Sequence, residues 1–281
     1  MKVGMAGGVM LLANWKQALK TAVELGYQAF EIFCEFPQVV PEQITPSQKE
    51  WARKFIEDSG IEIAVHSPFN DLNIASLNQG IRRESVRQSI EALRLCAELG
   101  GKVLVIHNGL YLMDPALEQA ENARRLQYQL NLESLSQIVK EAEKLGVYVC
   151  LENCNFVPER IENRIEDLVE IKKALGSEYL KFTLDIGHAR LAEGVEKAIQ
   201  VLGDEIRHIH FTDNLGEADD HLIIGTGNFN YQPFLDFIIN FPYIVTLEVT
   251  QLSTSPHPAK ESLENFQKIL KQYQSPPFKQ N

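Results

Sequence analysis

The sequence predicts an α/β fold, a (β/α)8 TIM barrel, on three observations. Strand-like and helix-like segments alternate regularly, which argues for a parallel sheet. There are eight of each, the count at which such a sheet closes into a TIM barrel. Six strand-like runs also carry residues of one chemical kind at their ends: AVHS, VIHN, CLEN, LDIGH, IHFTDN and TLEV each supply His, Asp or Glu. In such a barrel the C-terminal strand ends share one face, so this pattern gathers metal-ligand types at one mouth.

The elements follow in order. KVGMA (Lys2–Ala6) reads as the first strand, with a glycine turn and then a helix from Asn14 to Leu25, closed by Gly26. AFEIF is the second strand. Thr45-Pro46-Ser47 is an N-cap and first-turn signal for a helix ending at Ser59-Gly60. IEIAVHS ends in His66, and a helix from Gly80 to Leu99 follows PFNDLNIAS. KVLVIHN ends in His107. Residues 116–145 are then periodic throughout. One straight helix of that length would measure about 45 Å, so a break or bend is expected near Tyr128–Asn131. VYVCLEN ends in Glu152 and Asn153 and leads to a helix over Arg160–Leu175. In KFTLDIGHA, Phe182, Leu184 and Ile186 alternate with polar or small neighbours, a strand pattern ending in a turn that carries Asp185 and His188. A helix at Val195–Leu202, the strand EIRHIHFTDN, a helix at Tyr231–Asn240, the strand YIVTLEV ending in Glu248 and a helix over Ala259–Tyr273 complete eight units. No linker, low-complexity block or repeat appears. One domain is expected over 1–281, with the barrel over 1–273 and a frayed, Pro-containing polar tail over 274–281.

Composition narrows the class. At 281 residues, 44% hydrophobic and 23% charged, the chain can bury a large core. The net charge of −11 offers no footprint for a polyanion, so no nucleic-acid partner is expected. No apolar run reaches the roughly 18–20 residues of a membrane span. Val3 to Trp15 is uncharged and follows Lys2, as in a weak signal peptide. However, Gly4, Gly7 and Gly8 interrupt it and a helix follows directly, so it reads as a strand and the protein as cytoplasmic. Cys34, Cys96, Cys150 and Cys154 lack paired or zinc-ribbon spacing and read as free thiols packed in the core. A homo-oligomer is compatible with all of this.

Singly, each strand-end residue has an ordinary use. A His there commonly just hydrogen-bonds, Glu152 could pair with an Arg, and Asp185 could cap the next helix. None of these uses predicts six strands ending alike. Several carboxylates and imidazoles in one mouth are costly without a cation, so a metal site is expected. After the seventh strand, Asp219, His221, Gly225 and Gly227 form D-x-H-x3-G-x-G, two further ligand types with glycines for tight turns and close backbone approach. His208 shares a strand face with His210 but lies one step deeper, which suits a supporting or packing role. Glu31 either lines the pocket or pairs inside the barrel with a Lys or Arg. Trp15, Phe69 and Tyr111 are expected in loops on the catalytic face.

The motifs HSPFNDLNIAS, VIHNG, LEN, LDIGHA, HIHFTDN with DDHLIIGTGN, and TLEV span nearly the whole chain. Through them the sequence resembles the xylose isomerase-like TIM barrels, which hold sugar isomerases and epimerases together with AP endonucleases of the endonuclease IV type. The resemblance implies a core metal held by Glu152, Asp185, His210 and Glu248. In the endonuclease type it implies further metals through His66, His107, His188, Asp219 and His221. Two departures favour the sugar branch. Only FTDNLGEA separates His210 from Asp219, without the Ser and basic residues that contact DNA. After Glu152 the chain reads NCNFVPER, where the endonuclease type has a small glycine-containing loop.

The expectation is a divalent-metal-dependent sugar or sugar-phosphate isomerase or epimerase. Glu152 and Glu248 would be its proton carriers through an enediolate, either of them the base. Mn²⁺ or Zn²⁺ suits the ligands best, and Co²⁺ or Mg²⁺ also fits. A Zn²⁺-dependent AP endonuclease is the alternative, and a non-enzymatic metal- or sugar-binding barrel stands third.

Overall fold

The computed structural model describes residues 1–111, 121–154, 161 and 164–274. The start of the periodic segment (116–120), Arg160 and most of the C-terminal tail (275–281) lie outside the described residues.

Eight parallel strands close into a barrel in sequence order. They are β1 (Lys2–Ala6), β2 (Ala29–Phe33), β3 (Glu62–His66), β4 (Val103–Ile106), β5 (Tyr148–Glu152), β6 (Leu180–Asp185), β7 (Ile206–Phe211) and β8 (Ile244–Leu247). Outside them pack α1 (Trp15–Leu25), α2 (Pro46–Ser59), α3 (Gln79–Glu98), α4 (Glu121–Leu145), α5 (Ile165–Leu175), α6 (Ile186–Leu191), α7 (Val195–Leu202), α8 (Leu235–Asn240) and α9 (His257–Gln274). Local chemistry sets several ends. Asn14 caps α1, Thr45 and Gln48 form a reciprocal capping box on α2, and left-handed Gly26, Gly60 and Gly176 stop α1, α2 and α5. Among the described residues no helix is long and apolar enough to cross a membrane.

Strand side chains alternate between the barrel interior and the helix-facing side. A small inner cluster of Ala29, Ala64, Val103, Val105, Cys150 and Ile244 fills the lower interior, separate from the main core between barrel and helices. Cys150 is thus a packing residue, and all four cysteines are buried free thiols. The inward parity of Ala64, Val105, Cys150 and Ile244 continues upward to His66, His107, Glu152 and Glu248. On β6 and β7 a register shift at Phe182/Thr183 matters. It brings Thr183 opposite His208 and Asp185 opposite His210, setting both His208 and His210 inward.

Three expectations are corrected. The helix expected to break near Tyr128–Asn131 runs unbroken through α4. Its middle turns instead serve the loops that follow β3 and β4. The buried Asn131 side chain accepts from Gly109 N and donates to Asn108 Oδ1, both at 2.9 Å, and Ser134 Oγ donates to Ile74 O at 2.6 Å. The stretch after Asp185 is not a loop turn, since Ile186–Leu191 is helical. Trp15 is not in a loop either. It is the buried first residue of α1, edge-to-face with Trp51.

Replacing Asn131 with Ala would leave the buried Gly109 N–H without its acceptor, a cost of about 1–3 kcal/mol. Chemical denaturation should show that loss, with the secondary structure by circular dichroism unchanged. An unaltered midpoint would mean that α4 does not support the mouth through this residue.

Candidate metal centre

Six of the eight strands, β3 to β8, deliver a ligand-type residue to the mouth. His66, Glu152 and Asp185 are the last residues of β3, β5 and β6, His107 and Glu248 directly follow β4 and β8, and His210 is the next-to-last residue of β7. The nine residues singled out in the sequence fall into three neighbouring groups, each with its ligand atoms within 4.8 Å of one another: Glu152, Asp185, His210 and Glu248; His66, His107 and Glu152; and His188, Asp219 and His221.

In the central group His210 Nδ1 faces three carboxylates, with Glu248 Oε2 at 3.0 Å, Glu152 Oε1 at 3.1 Å and Asp185 Oδ2 at 3.9 Å. All four residues are buried. Glu152 is the hub. Its Oε2 lies 3.0 Å from His107 Nε2 and 3.4 Å from His66 Nε2, and its Oε1 lies 3.4 Å from His188 Nδ1. The third group sits at the rim, where His188 Nε2 meets Asp219 Oδ2 at 2.9 Å and His221 Nε2 meets Asp219 Oδ1 at 3.1 Å.

Asp185 combines two of the roles open to it. Its Oδ1 caps α6 by accepting from His188 N at 2.7 Å and also accepts from Thr212 Oγ1 at 3.1 Å. Among the described residues its Oδ2 is buried without a hydrogen bond, and so is Glu248 Oε2, which lies 3.0 Å from His210 Nδ1 in contact but not in hydrogen-bonding geometry. Two orphaned carboxylate oxygens in one buried group are the chemistry a divalent cation satisfies, so the residues present fit such an ion. Electrostatics agree. Burial, joined by the Glu248 and Glu152 charges and only partly offset by His188, pushes the Asp185 carboxyl up to about 7. Burial also opposes charge on Glu248, but His210 and His221 outweigh it and hold the carboxyl down at about 2. The same contest leaves Glu152 well below the usual carboxylate range, through His210 and His107.

The supporting side chains were less visible in sequence. Asn153 locks β5 to β6 by exchanging two hydrogen bonds with the Asp185 backbone, at 2.8 and 2.9 Å, and its own carbonyl lies 3.0 Å from His188 Nδ1. Thr212 Oγ1 accepts from Gly187 N at 2.8 Å, and a Cβ on Gly187 would lie 2.2 Å from that oxygen. Glycine here lets α6 approach β7. Asp213 accepts from Gly225 N and Gly227 N, both at 2.9 Å, folding the D-x-H-x3-G-x-G loop over the mouth. His221 takes a left-handed backbone, φ 44°, a strained conformation for a non-glycine residue. Because Asp213 is buried, the rim's negative charge comes from Glu217, Asp219 and Asp220.

Of the aromatics, Phe69 stands against the site, its ring centroid 4.8 Å from His107 and 5.4 Å from His66. Glu35 pins that loop by accepting from Phe69 N and Asn70 N. Tyr111 is half-buried under the Arg124 guanidinium. Among the described residues Glu31 pairs with neither Lys nor Arg, because two imidazoles, His208 and His210, reach it first.

Comparison with known proteins adds an independent line. The family model described as "Xylose isomerase-like TIM barrel" matches residues 19–269. An uncharacterized protein of Methanocaldococcus jannaschii is 32% identical, covering 96% of this chain and 90% of its own. Fructoselysine 3-epimerase of Escherichia coli O157:H7 is 25% identical over 91% of this chain and 93% of its own, and a probable endonuclease 4 of Aquifex aeolicus is 25% identical over 79% and 82%. Among solved structures, a D-tagatose 3-epimerase-like protein superposes with a TM-score of 0.81 at 30% identity, over 97% of this chain and 98% of that one. With the family model spanning most of the barrel, this chain belongs to the xylose isomerase-like TIM barrel family.

Proposed function

We propose that the protein is a divalent-metal-dependent isomerase or epimerase of a keto-sugar or sugar phosphate. The observation that carries this reading is the convergence of Glu152 and Glu248 on His210 Nδ1, at 3.1 and 3.0 Å from opposite sides of the strand order. Two carboxylates flanking one ligand group can share a single proton transfer. Glu152, Asp185, His210 and Glu248 would hold the ion, which would supply Lewis-acid polarisation of the substrate's carbonyl and adjoining hydroxyl. One glutamate then removes the proton next to that carbonyl to give an enediolate, and the other returns a proton at the neighbouring carbon or on the opposite face. Neighbouring imidazoles hold both carboxyls below the usual carboxylate range, His210 and His107 at Glu152 and His210 and His221 at Glu248. Three carboxylates with one imidazole suit Mn²⁺, Zn²⁺, Co²⁺ or Mg²⁺, and the added imidazoles favour the first two. The epimerase names among the relatives support this reading.

A second reading rests on the two outer groups, His66–His107–Glu152 and His188–Asp219–His221. With ions there too, the mouth would suit a multi-metal phosphodiesterase, and a relative named probable endonuclease 4 is consistent with it. Against it, the FTDNLGEA segment has no Lys or Arg, the residues that normally hold phosphates.

Three outcomes are expected. Purified protein should carry at least one tightly bound divalent ion by elemental analysis, lost in His210→Ala and Asp185→Ala. Protein never exposed to chelator that carries no metal, and stays fully active in EDTA, would refute the site. Glu152→Gln and Glu248→Gln should each lower turnover by about 100-fold or more with the fold intact, and unchanged turnover in either would remove its assigned role. In Mn²⁺ or Zn²⁺ the protein should exchange solvent deuterium into the carbon next to the carbonyl of a keto-sugar or sugar phosphate, and bind abasic duplex DNA weakly at physiological salt. Metal-dependent incision at abasic sites, with no exchange on any sugar, would instead establish the second reading.

A further inference from the structure

Below the mouth lies a buried network that the proposed proton transfer does not use. Glu31 on β2 reaches across the barrel to β7. Both of its carboxylate oxygens lie 3.2 Å from His210 Nε2. Its Oε2 also lies 2.7 Å from His208 Nε2, which is 3.0 Å from Thr246 Oγ1. Glu31, His208 and His210 are at most 2% exposed. The carboxylate therefore has no water to turn to and meets two imidazole N–H groups.

The other candidate ligands are oriented differently. His66 Nδ1 lies 2.8 Å from the Ser67 carbonyl and His188 Nδ1 lies 3.0 Å from the Asn153 carbonyl, so each turns Nε2 towards its group. His210 is reversed. Its Nε2 is taken by Glu31, and Nδ1 is the nitrogen presented to Glu152, Asp185 and Glu248. At Nε2 His210 meets a carboxylate, whereas a backbone carbonyl is the nearest partner of His66 Nδ1, at 2.8 Å, and of His188 Nδ1, at 3.0 Å with Glu152 Oε1 farther off at 3.4 Å. A carboxylate accepting the outer N–H of a ligating imidazole fixes tautomer and ring plane and makes the inner nitrogen a stronger donor.

We propose that Glu31 is the positioning residue of the central metal group: it accepts the His210 Nε2–H and thereby commits Nδ1 to the ion. This rests on the metal part of the proposed function and not on the identity of the substrate. His208 and Thr246 steady Glu31 from below. Glu31, His208 and His210 also lie close enough together to hold an ion, but the 2.7 Å separation of Glu31 Oε2 from His208 Nε2 is that of a hydrogen-bonded pair, and the proposal takes the network as a support for the ion above it.

The test is metal affinity, measured by competition of Mn²⁺ and Zn²⁺ against a chromophoric chelator. Wild type, Glu31→Gln, Glu31→Asp and the control Thr246→Val are compared, with thermal melts of the metal-free proteins run in parallel. Glu31→Gln keeps the size but loses the charge and one acceptor. It should weaken the tightest ion by about 10–100-fold. Glu31→Asp should recover part of that loss, and Thr246→Val, which removes a contact to His208 only, should weaken the ion much less than Glu31→Gln does. On Zn²⁺-loaded protein, the ¹⁵N spectrum of wild type should show His210 protonated at Nε2 and metallated at Nδ1. Folded Glu31→Gln with wild-type affinity would overturn the proposal alone, as would Thr246→Val weakening the ion as much as Glu31→Gln does. So would an additional ion in wild type that only Glu31→Gln loses, because Glu31 would then be a ligand. Wild type that binds no divalent ion would overturn this proposal and the metal reading together.

Discussion

Everything at the mouth depends on one electrostatic problem. Glu152, Asp185 and Glu248 are buried with their ligand atoms within 4.8 Å of one another and of His210. Among the described residues, their ion pairs are with histidines. Desolvating several like charges together costs several kcal/mol per ion even after relaxation, and imidazoles are weak compensation. The structure bears the marks of that imbalance: Asp185 is pushed up in pKa, and Asp185 Oδ2 and Glu248 Oε2 make no hydrogen bond. A divalent ion would resolve all of these at once.

The rest of the barrel holds this arrangement in place. Inward parity brings ligand types from different strands to one level, and the β6–β7 register shift sets Asp185 opposite His210. Asn153, Thr212 and Gly187 then tie the ends of β5, β6 and β7 together through short hydrogen bonds. Glu152, touching members of all three groups, couples whatever happens in one to the others. Both proposed chemistries, one-ion proton transfer and multi-ion hydrolysis, draw on this same set of residues. The loop that follows β7, short and without basic residues, is what tilts the proposal towards a sugar.

Much of this was legible in the sequence because a strand's period of two and a barrel's shared mouth are simple rules. Reading AVHS, VIHN, CLEN, LDIGH, IHFTDN and TLEV as strand ends was enough to bring His66, His107, Glu152, Asp185, His188, His210 and Glu248 to one mouth, whereas Asp219 and His221 came from the loop motif and the division into groups from the family resemblance. What escaped were features that depend on contacts across the fold. Asn131 carries no local signal that it will cap a loop from the far side of α4, so the helix looked too long to stay whole. Trp15 looked like a rim aromatic until Trp51 was placed against it. Glu31 seemed to want a basic partner. That two imidazoles from β7 would supply its hydrogen bonds follows only from the distance across the closed barrel. Asp213, in the acidic segment after His210, is turned inward by the Gly225 and Gly227 amides.

The central claim is that the Glu152–Asp185–His210–Glu248 group is built around a cation. Anomalous diffraction from crystals grown with Mn²⁺, and separately with Zn²⁺, tests it most directly. The account predicts a metal peak bonded to His210 Nδ1 and to oxygens of all three carboxylates, including Asp185 Oδ2 and Glu248 Oε2. A fully loaded crystal whose metal peaks lie only elsewhere, with that group closed on itself by hydrogen bonds, would contradict it.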